Sequence, residues 1–391
     1  VASGRKSITQ IKVLMSLTKL HTPALILNLN RLEANAAAMA ARLEKHQVTL
    51  RPHLKTAKSA DVAAVTRKHG AVGIAVATLK EAEYFAQQGY SDLQYPVCIT
   101  PDKYHRAAAL VRQGASLGLI LDSLETARTL SSFAEHEGIR LKVYLEVDCG
   151  EHRTGFSMDD PDFLVAAGVL NNSDQIDFQG VLSHGGHAYY CSSESEVRAV
   201  AEQERSIAVT AAEMLRNAGI ACKEVSIGST PTVRFSESFE GVTEVRAGVY
   251  LFGDLFQAGL HTCELNSLAI SVLTTVISYN RRTQRIFVDA GGLALSKDKS
   301  RARGAPEFGY GQVASIDGEL FQPQLIVADV HQEHGEISVE ETPELQQLGI
   351  GARLRVYPNH ACMTAAMYGS YHVVRGTSTE VETIWEKTQG W

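Results

Sequence analysis

The stretch TLRPHLKTAKS, residues 49–59, runs from a β-prone apolar segment into a cluster of cations and arrives at Lys55. Arg51, His53 and Lys58 flank that lysine. A neighbouring positive charge disfavours the ammonium form and draws a lysine pKa down, and a lysine so placed is a nucleophile toward aldehydes. The same residues also read as a solvated basic loop. The sequence on either side decides between the two.

Outward from residue 49 one pattern repeats. Between residues 25 and 256 an apolar run, a polar or Gly-rich link and a helix-like segment recur. The runs are QVTLRPHLK (47–55), VGIAVAT (72–78), DLQYPVCI (92–99), LGLILDS (117–123), LKVYLEVDCG (141–150), DFQGVLSHGG (177–186), EVSIGST (224–230) and EVRAGVYL (244–251). Segments such as LKEAEYFAQQG (79–89) and VRAVAEQERSIAVTAAEMLRNAG (197–219) carry helical periodicity, and the second closes on a glycine as helices often do. Apolar runs alternating with helices predict parallel strands covered on both faces, and eight such units have the size of a (β/α)8 barrel. A doubly wound open sheet is the competing architecture.

After residue 265 the texture changes. SLAISVLTTVISYNRRTQRIFVDAGG, QLIVADVHQEHGEISVE, ARLRVYPNHAC and YHVVRG are β-rich and lack a long helical pattern, which predicts a mostly antiparallel β domain. The early TPALILNLN (22–30) is strand-like too and is expected to pair with that domain. The expected division is a barrel over 32–265 and a β domain over 266–391 together with about 12–31.

The bulk numbers are those of an ordinary globular protein: 391 residues, 45% hydrophobic and 21% charged. A net charge of −7 argues against a nucleic-acid partner. No apolar run approaches the ~18 residues that would cross a bilayer, and residues 1–20 lack a cleavage-site pattern, so neither membrane nor secretory signal is expected. Cys98, Cys149, Cys191, Cys222, Cys263 and Cys362 are scattered without a CxxC pair, which predicts reduced thiols and a cytoplasmic location.

In barrel enzymes chemistry gathers at the C-terminal ends of the strands. Those ends carry Lys55, DCGEHRTG (148–155), SHGGHAYY (183–190), SIGSTPT (226–232) and RAGVY (246–250). Gly228, Ser229 and Thr230, with Gly248 in the later part of the eighth run, supply amides and hydroxyls where such barrels hold phosphate. A lysine at the end of the first strand together with a phosphate site near the last two points to pyridoxal 5′-phosphate. Arg153 fits either the cofactor ring or a substrate carboxylate, or else a surface ion pair. His184 is a secondary candidate and Tyr189 follows it. In YPNHACMTAAMY (357–368), His360 and Cys362 at i, i+2 on an expected extended segment point to one side. Imidazole plus thiolate favours zinc, and two protein ligands leave positions open for catalysis. His331 and His334 of HQEHG are either further ligands or local hydrogen-bonding residues.

RPHLKTAKS, DCGEHRTG, SIGSTPT, EVRAGVYLFGDL, DAGG, QEHG and PNHACMTAAMY occur in this order from about residue 22 to the end of the chain. Together they resemble the metal-dependent D-serine dehydratase / D-threonine aldolase family, fold-type III pyridoxal phosphate enzymes related to alanine racemase. The resemblance implies that Lys55 carries the cofactor and that His360 and Cys362 bind zinc beside the substrate. It places Tyr189, Gly228, Ser229 and Thr230 around the cofactor, and His53, Arg153, Gly248, Val249 and Tyr250 are assigned there with them. Thr56 and Cys362 look like the dehydratase branch, whereas the aldolases tend to show HGKxHK-like text and a His-x-Asp pair; Ala57 departs from many relatives. The basic stretch with Lys297, Lys299, Arg301 and Arg303 is similar to that of the D-threo-3-hydroxyaspartate enzymes, whose second substrate carboxylate needs a cation. A solvated basic loop is the other reading.

The activity implied is dehydration of a D-β-hydroxy-α-amino acid, D-threo-3-hydroxyaspartate or D-serine, to a 2-keto acid and ammonia by a homodimer. An aldolase on the same scaffold is the alternative. An amino-acid racemase would want a second base from the β domain, and a non-catalytic cofactor carrier would lack that domain.

Overall fold

The computed structural model describes residues 15–300, 302–338 and 348–391, so Arg301 and residues 12–14 of the expected β domain lie outside the described residues. Two short strands come first, β1 (Met15–Ser16) and β2 (Ala24–Asn28), followed by α1 (Leu29–Glu44). Eight strands then alternate with helices: β3 (Thr49–Leu50), β4 (Ile74–Ala75), β5 (Asp92–Cys98), β6 (Ser116–Leu121), β7 (Leu141–Glu146), β8 (Ile176–Leu182), β9 (Glu224–Ile227) and β10 (Glu244–Val245). All are parallel, in the order β3-β10-β9-β8-β7-β6-β5-β4. The ring closes between β3 and β4, where the Val72 amide donates to the Leu50 carbonyl (2.9 Å), Ala75 to Pro52 (3.0 Å) and Leu54 to Ala75 (2.8 Å). The sheet is a closed barrel and not a doubly wound open sheet.

Local chemistry explains the alternation. β6 is buried from Leu117 to Leu121 and β7 is nearly so, as strands covered on both faces must be. Helices begin where a side-chain oxygen meets a free amide: Thr78 accepts from Glu81, Ser123 from Thr126, and Ser193 from Glu196. The first and last barrel strands are much shorter than the apolar runs predict. Pro52 has no amide proton to extend the ladder, and the chain turns over residues 54–57, so Lys55 sits in a turn beyond the strand end.

Of the residues flanking Lys55, His53 stays beside it, its Nδ1 3.4 Å from the Lys55 amide, while the charges of Arg51 and Lys58 are taken up by carboxylates. The buried Arg51 guanidinium donates to Glu244 (2.6 Å) and Asp92 (2.9 Å), spanning the seam of the barrel, and Lys58 pairs with the fully buried Glu81 (3.1 Å). Each charge is compensated by a carboxylate brought from elsewhere in the chain, which the local sequence does not reveal.

The second sheet is built on β11 (Ile270–Asn280), which pairs antiparallel with β2, β12 (Arg285–Val288) and β16 (Arg353–Tyr357). β13 (Gln312–Ala314), β14 (Val327–Val330), β15 (Gly335–Ser338), β17 (Ser370–Val374) and β19 (Thr383–Glu386) complete it, while β18 (Glu380–Val381) pairs with β1. Among the described residues the β2–β17 strand pair is parallel and the other strand pairs are antiparallel, so the sheet is mostly antiparallel and takes in the TPALILNLN strand. One apolar core runs through both layers, including Leu54, Val76 and Leu121 of the barrel with Val272, Val356 and Tyr371 of the sheet. Among the described residues no helix is long and apolar enough to cross a membrane.

Candidate active site

A cavity of about 550 Å³ opens at the C-terminal end of the barrel, against the second sheet. Lys55, His53, Arg153, Tyr189, Ser229, Thr230, Gly248 and Val249 line it from the barrel side, and His360 and Cys362 from the other. Gly228 and Tyr250 do not line it. The Gly228 carbonyl accepts from the His184 ring at Nδ1 (3.0 Å), and the Tyr250 phenol faces a separate cavity of about 500 Å³ behind Thr230. The Tyr250 amide still reaches the cup, donating to Thr230 Oγ1 (3.1 Å).

The cup between β9 and β10 is shaped by two glycines. Gly228 has φ +126°, a conformation closed to most side chains, and a Cβ on Gly248 would lie 2.6 Å from the His53 carbonyl oxygen. The Thr230 amide at the start of α8 (Thr230–Phe235) and the Val249 amide at the start of the Val249–Leu251 turn have no acceptor within their own helices, whereas Pro231 has no amide proton and the Thr232 amide donates to Ser229 Oγ (3.3 Å). Ser229 and Thr230 add hydroxyls beside them. This is a small cup rich in donors, fitted to an anion.

Two imidazoles lie under Lys55. Burial, with the Lys55 charge next, holds His184 down to about 3 and His53 well below its ordinary value, so both are neutral. The His184 hydrogen bond to a carbonyl fixes its proton on Nδ1. Tyr189 stacks on Phe256 with centroids 5.9 Å apart, and burial keeps its phenol protonated. Arg153 does form the ion pair that was one of its readings, with Glu151 (3.3 Å), while also lining the cavity.

His360 and Cys362 lie together, but not on one extended segment. His360, the residue before α11 (Ala361–Ala366), keeps extended backbone at φ −133° and ψ 99°, and Cys362 lies in the first turn of that helix, so the pair straddles the helix start. The Asp254 carboxylate accepts from the Ala361 amide (2.9 Å) and fixes that helix start. His360 Nδ1 bonds Asp298 (2.7 Å), and Thr56 Oγ1 meets the Cys362 sulfur (3.2 Å). Burial alone would lower the His360 pKa, but the Cys362 sulfur and the Asp254 and Asp298 carboxylates push it up to about 10. The pocket therefore favours a positive charge, and its nitrogen, sulfur and oxygen donors suit a divalent metal. His331 is not part of it, pairing instead with Glu336 (2.8 Å).

Several residues escaped the sequence reading. Asp298 is the acid inside the basic stretch, and it reaches the site while Lys299 lies over the Tyr310 ring (4.3 Å). Of Lys297, Lys299 and Arg303, only Arg303 lines the cavity. Glu204, in the middle of α7 (Glu194–Asn217), is fully buried, and its Oε1 accepts from both Gly185 (2.6 Å) and Gly228 (2.9 Å). It ties the loop that carries Tyr189 to the cup, yet in sequence it is an ordinary helical glutamate.

The chain matches the alanine racemase N-terminal domain over residues 27–255 and the serine dehydratase domain over 269–374. The D-threo-3-hydroxyaspartate dehydratase of Delftia sp. (strain HT23) is 40% identical over 380 residues, covering 96% of this chain and 99% of that one. The chain belongs to the D-serine dehydratase / D-threonine aldolase family. Within it, the D-serine dehydratase of Dictyostelium discoideum is 30% identical over 389 residues, with 94% and 97% covered. The D-threonine aldolase of Arthrobacter sp. is 31% identical over 373 residues, with 95% and 93% covered. A solved D-threo-3-hydroxyaspartate dehydratase, a cysteine-to-alanine variant in the metal-free form, superposes with a TM-score of 0.93 at 39% identity, covering 96% of this chain and 100% of that one.

Proposed function

We propose that this chain is a lyase that removes water from a D-β-hydroxy-α-amino acid, releasing a 2-keto acid and ammonia, with pyridoxal 5′-phosphate and zinc as its bound groups. The observation that carries the reading is a single cavity lined by a lysine, an anion cup and a histidine–cysteine pair. The relatives named as dehydratases support the reaction type.

Lys55 would hold the cofactor aldehyde, with Ser229, Thr230, Gly248 and Val249 around its phosphate; His360 and Cys362 would hold the metal. When bound, the cofactor supplies an electron sink and the metal a Lewis acid for a poor leaving group. The chain's own residues do the rest. Lys55 Nζ takes the proton from the substrate Cα. The neutral rings of His53 and His184 place no further positive charge beside that amine. Tyr189 and Phe256 wall the cavity and limit water. Arg303, the described member of the basic stretch that reaches the cavity, pairs with a second carboxylate on the substrate, which favours D-threo-3-hydroxyaspartate over D-serine.

Ammonia release from D-threo-3-hydroxyaspartate tests this directly. The expected result is turnover that thorough chelation abolishes and zinc restores. Lys55→Ala should lower the rate by about a thousandfold or more. Full activity after chelation would overturn the metal assignment, and an active Lys55→Ala variant would overturn the role of the lysine.

A further inference from the structure

The turn after Lys55 is held by the second sheet and its flanks at three consecutive residues. Thr56 Oγ1 meets Cys362 Sγ (3.2 Å), the Ala57 carbonyl accepts from the Tyr371 hydroxyl (2.7 Å), and the Lys58 carbonyl accepts from the Thr388 amide (2.9 Å). On its barrel side the turn is packed against the cup, since a Cβ on Gly248 would lie 3.3 Å from Thr56 Oγ1. Thr56 is 2% exposed, so its hydroxyl has no bulk water to turn to.

From this geometry we infer that Thr56 is a positioning residue that links the two halves of the site: it orients the Cys362 sulfur for the metal and, through the Lys55 turn, makes metal binding and cofactor binding favour each other. The inference rests on the metal and cofactor reading given above. A metal-ligating cysteine is a thiolate and has no proton to give, so in that state the Thr56 hydroxyl donates and the sulfur accepts. A hydrogen bond to an ionised sulfur is stronger than one to a neutral thiol, and buried groups around metal ligands set ligand orientation. Thr56 is also the residue next to Lys55 in one tight turn. A shift of the lysine backbone on cofactor binding therefore moves the hydroxyl against the sulfur, and metal binding restrains the same turn. Equilibrium linkage requires the effect to be equal in both directions.

The test is zinc affinity, measured by competition with a chromophoric chelator on the cofactor-loaded protein and on the protein stripped of cofactor. Thr56→Val keeps the shape and removes the hydroxyl; Thr56→Ser keeps the hydroxyl. Thr56→Val should bind zinc about tenfold or more weakly, Thr56→Ser should stay close to wild type, and cofactor loading should tighten zinc binding in wild type but not in Thr56→Val. Zinc affinity of Thr56→Val within twofold of wild type overturns the inference while leaving the metal reading intact, and a Thr56→Ser variant as weak as Thr56→Val overturns it by showing a merely structural role. Equal zinc affinity of loaded and stripped wild type overturns the linkage. A wild-type protein that binds no zinc overturns both readings together.

Discussion

At the scale of single residues, burial widens the pH range over which groups of the site keep one protonation state. His184 is the clearest case. Its ring falls to about 3 in the folded protein from an ordinary value of 6.5, so between those limits the unfolded chain binds the extra proton. Its contribution to stability is fully present above pH 6.5 and is lost as pH falls toward 3. Between pH 7 and 5 this amounts to about 2 kcal/mol. Urea unfolding at the two pH values should show His184→Gln losing less stability than wild type by about that amount; parallel losses would contradict the assignment. Lys55, His360 and Cys362 stand out in the sequence through the ordered set of motifs that resembles the family, since a basic loop or a chance HxC would account for each alone; the structure brings all three to one cavity. Asp298 and Glu204 were not legible. Their partners lie 62 and 24 residues away or are backbone amides, and neither contact leaves a mark on the local pattern.

At the scale of elements, the strand-to-loop junctions matter more than the strands. The periodicity of apolar runs foretold all eight barrel strands, because burial on both faces writes itself into composition. It overstated β3 and β10, where the chain leaves the ladder early to build the lysine turn and the anion cup. Extended backbone, expected through both His360 and Cys362, stops at His360, because α11 begins at Ala361 and is too short to show a helical period in the sequence. The cup yields a sharp prediction. Gly248→Ala drives a methyl group to within 2.6 Å of the His53 carbonyl, and the lysine turn must move to admit it. The variant should lose about 1–3 kcal/mol of stability and bind pyridoxal 5′-phosphate more weakly, read from thermal melting and cofactor absorbance. Unchanged cofactor affinity would mean that the turn and cup are not rigidly joined.

At the scale of the whole molecule, the barrel and the second sheet each bring half of the cavity. The barrel supplies the lysine, the cup and the neutral histidines, and the sheet region supplies the histidine–cysteine pair with Asp298. Neither half is a site alone, and the shared core and the tethered turn hold them in register. Relatives named as a dehydratase and as an aldolase share this frame. Product analysis by proton NMR of the purified, zinc-loaded holoenzyme with D-threo-3-hydroxyaspartate tests the central claim most directly. Oxaloacetate with one equivalent of ammonia is the predicted result; glycine with glyoxylate would contradict it and identify an aldolase.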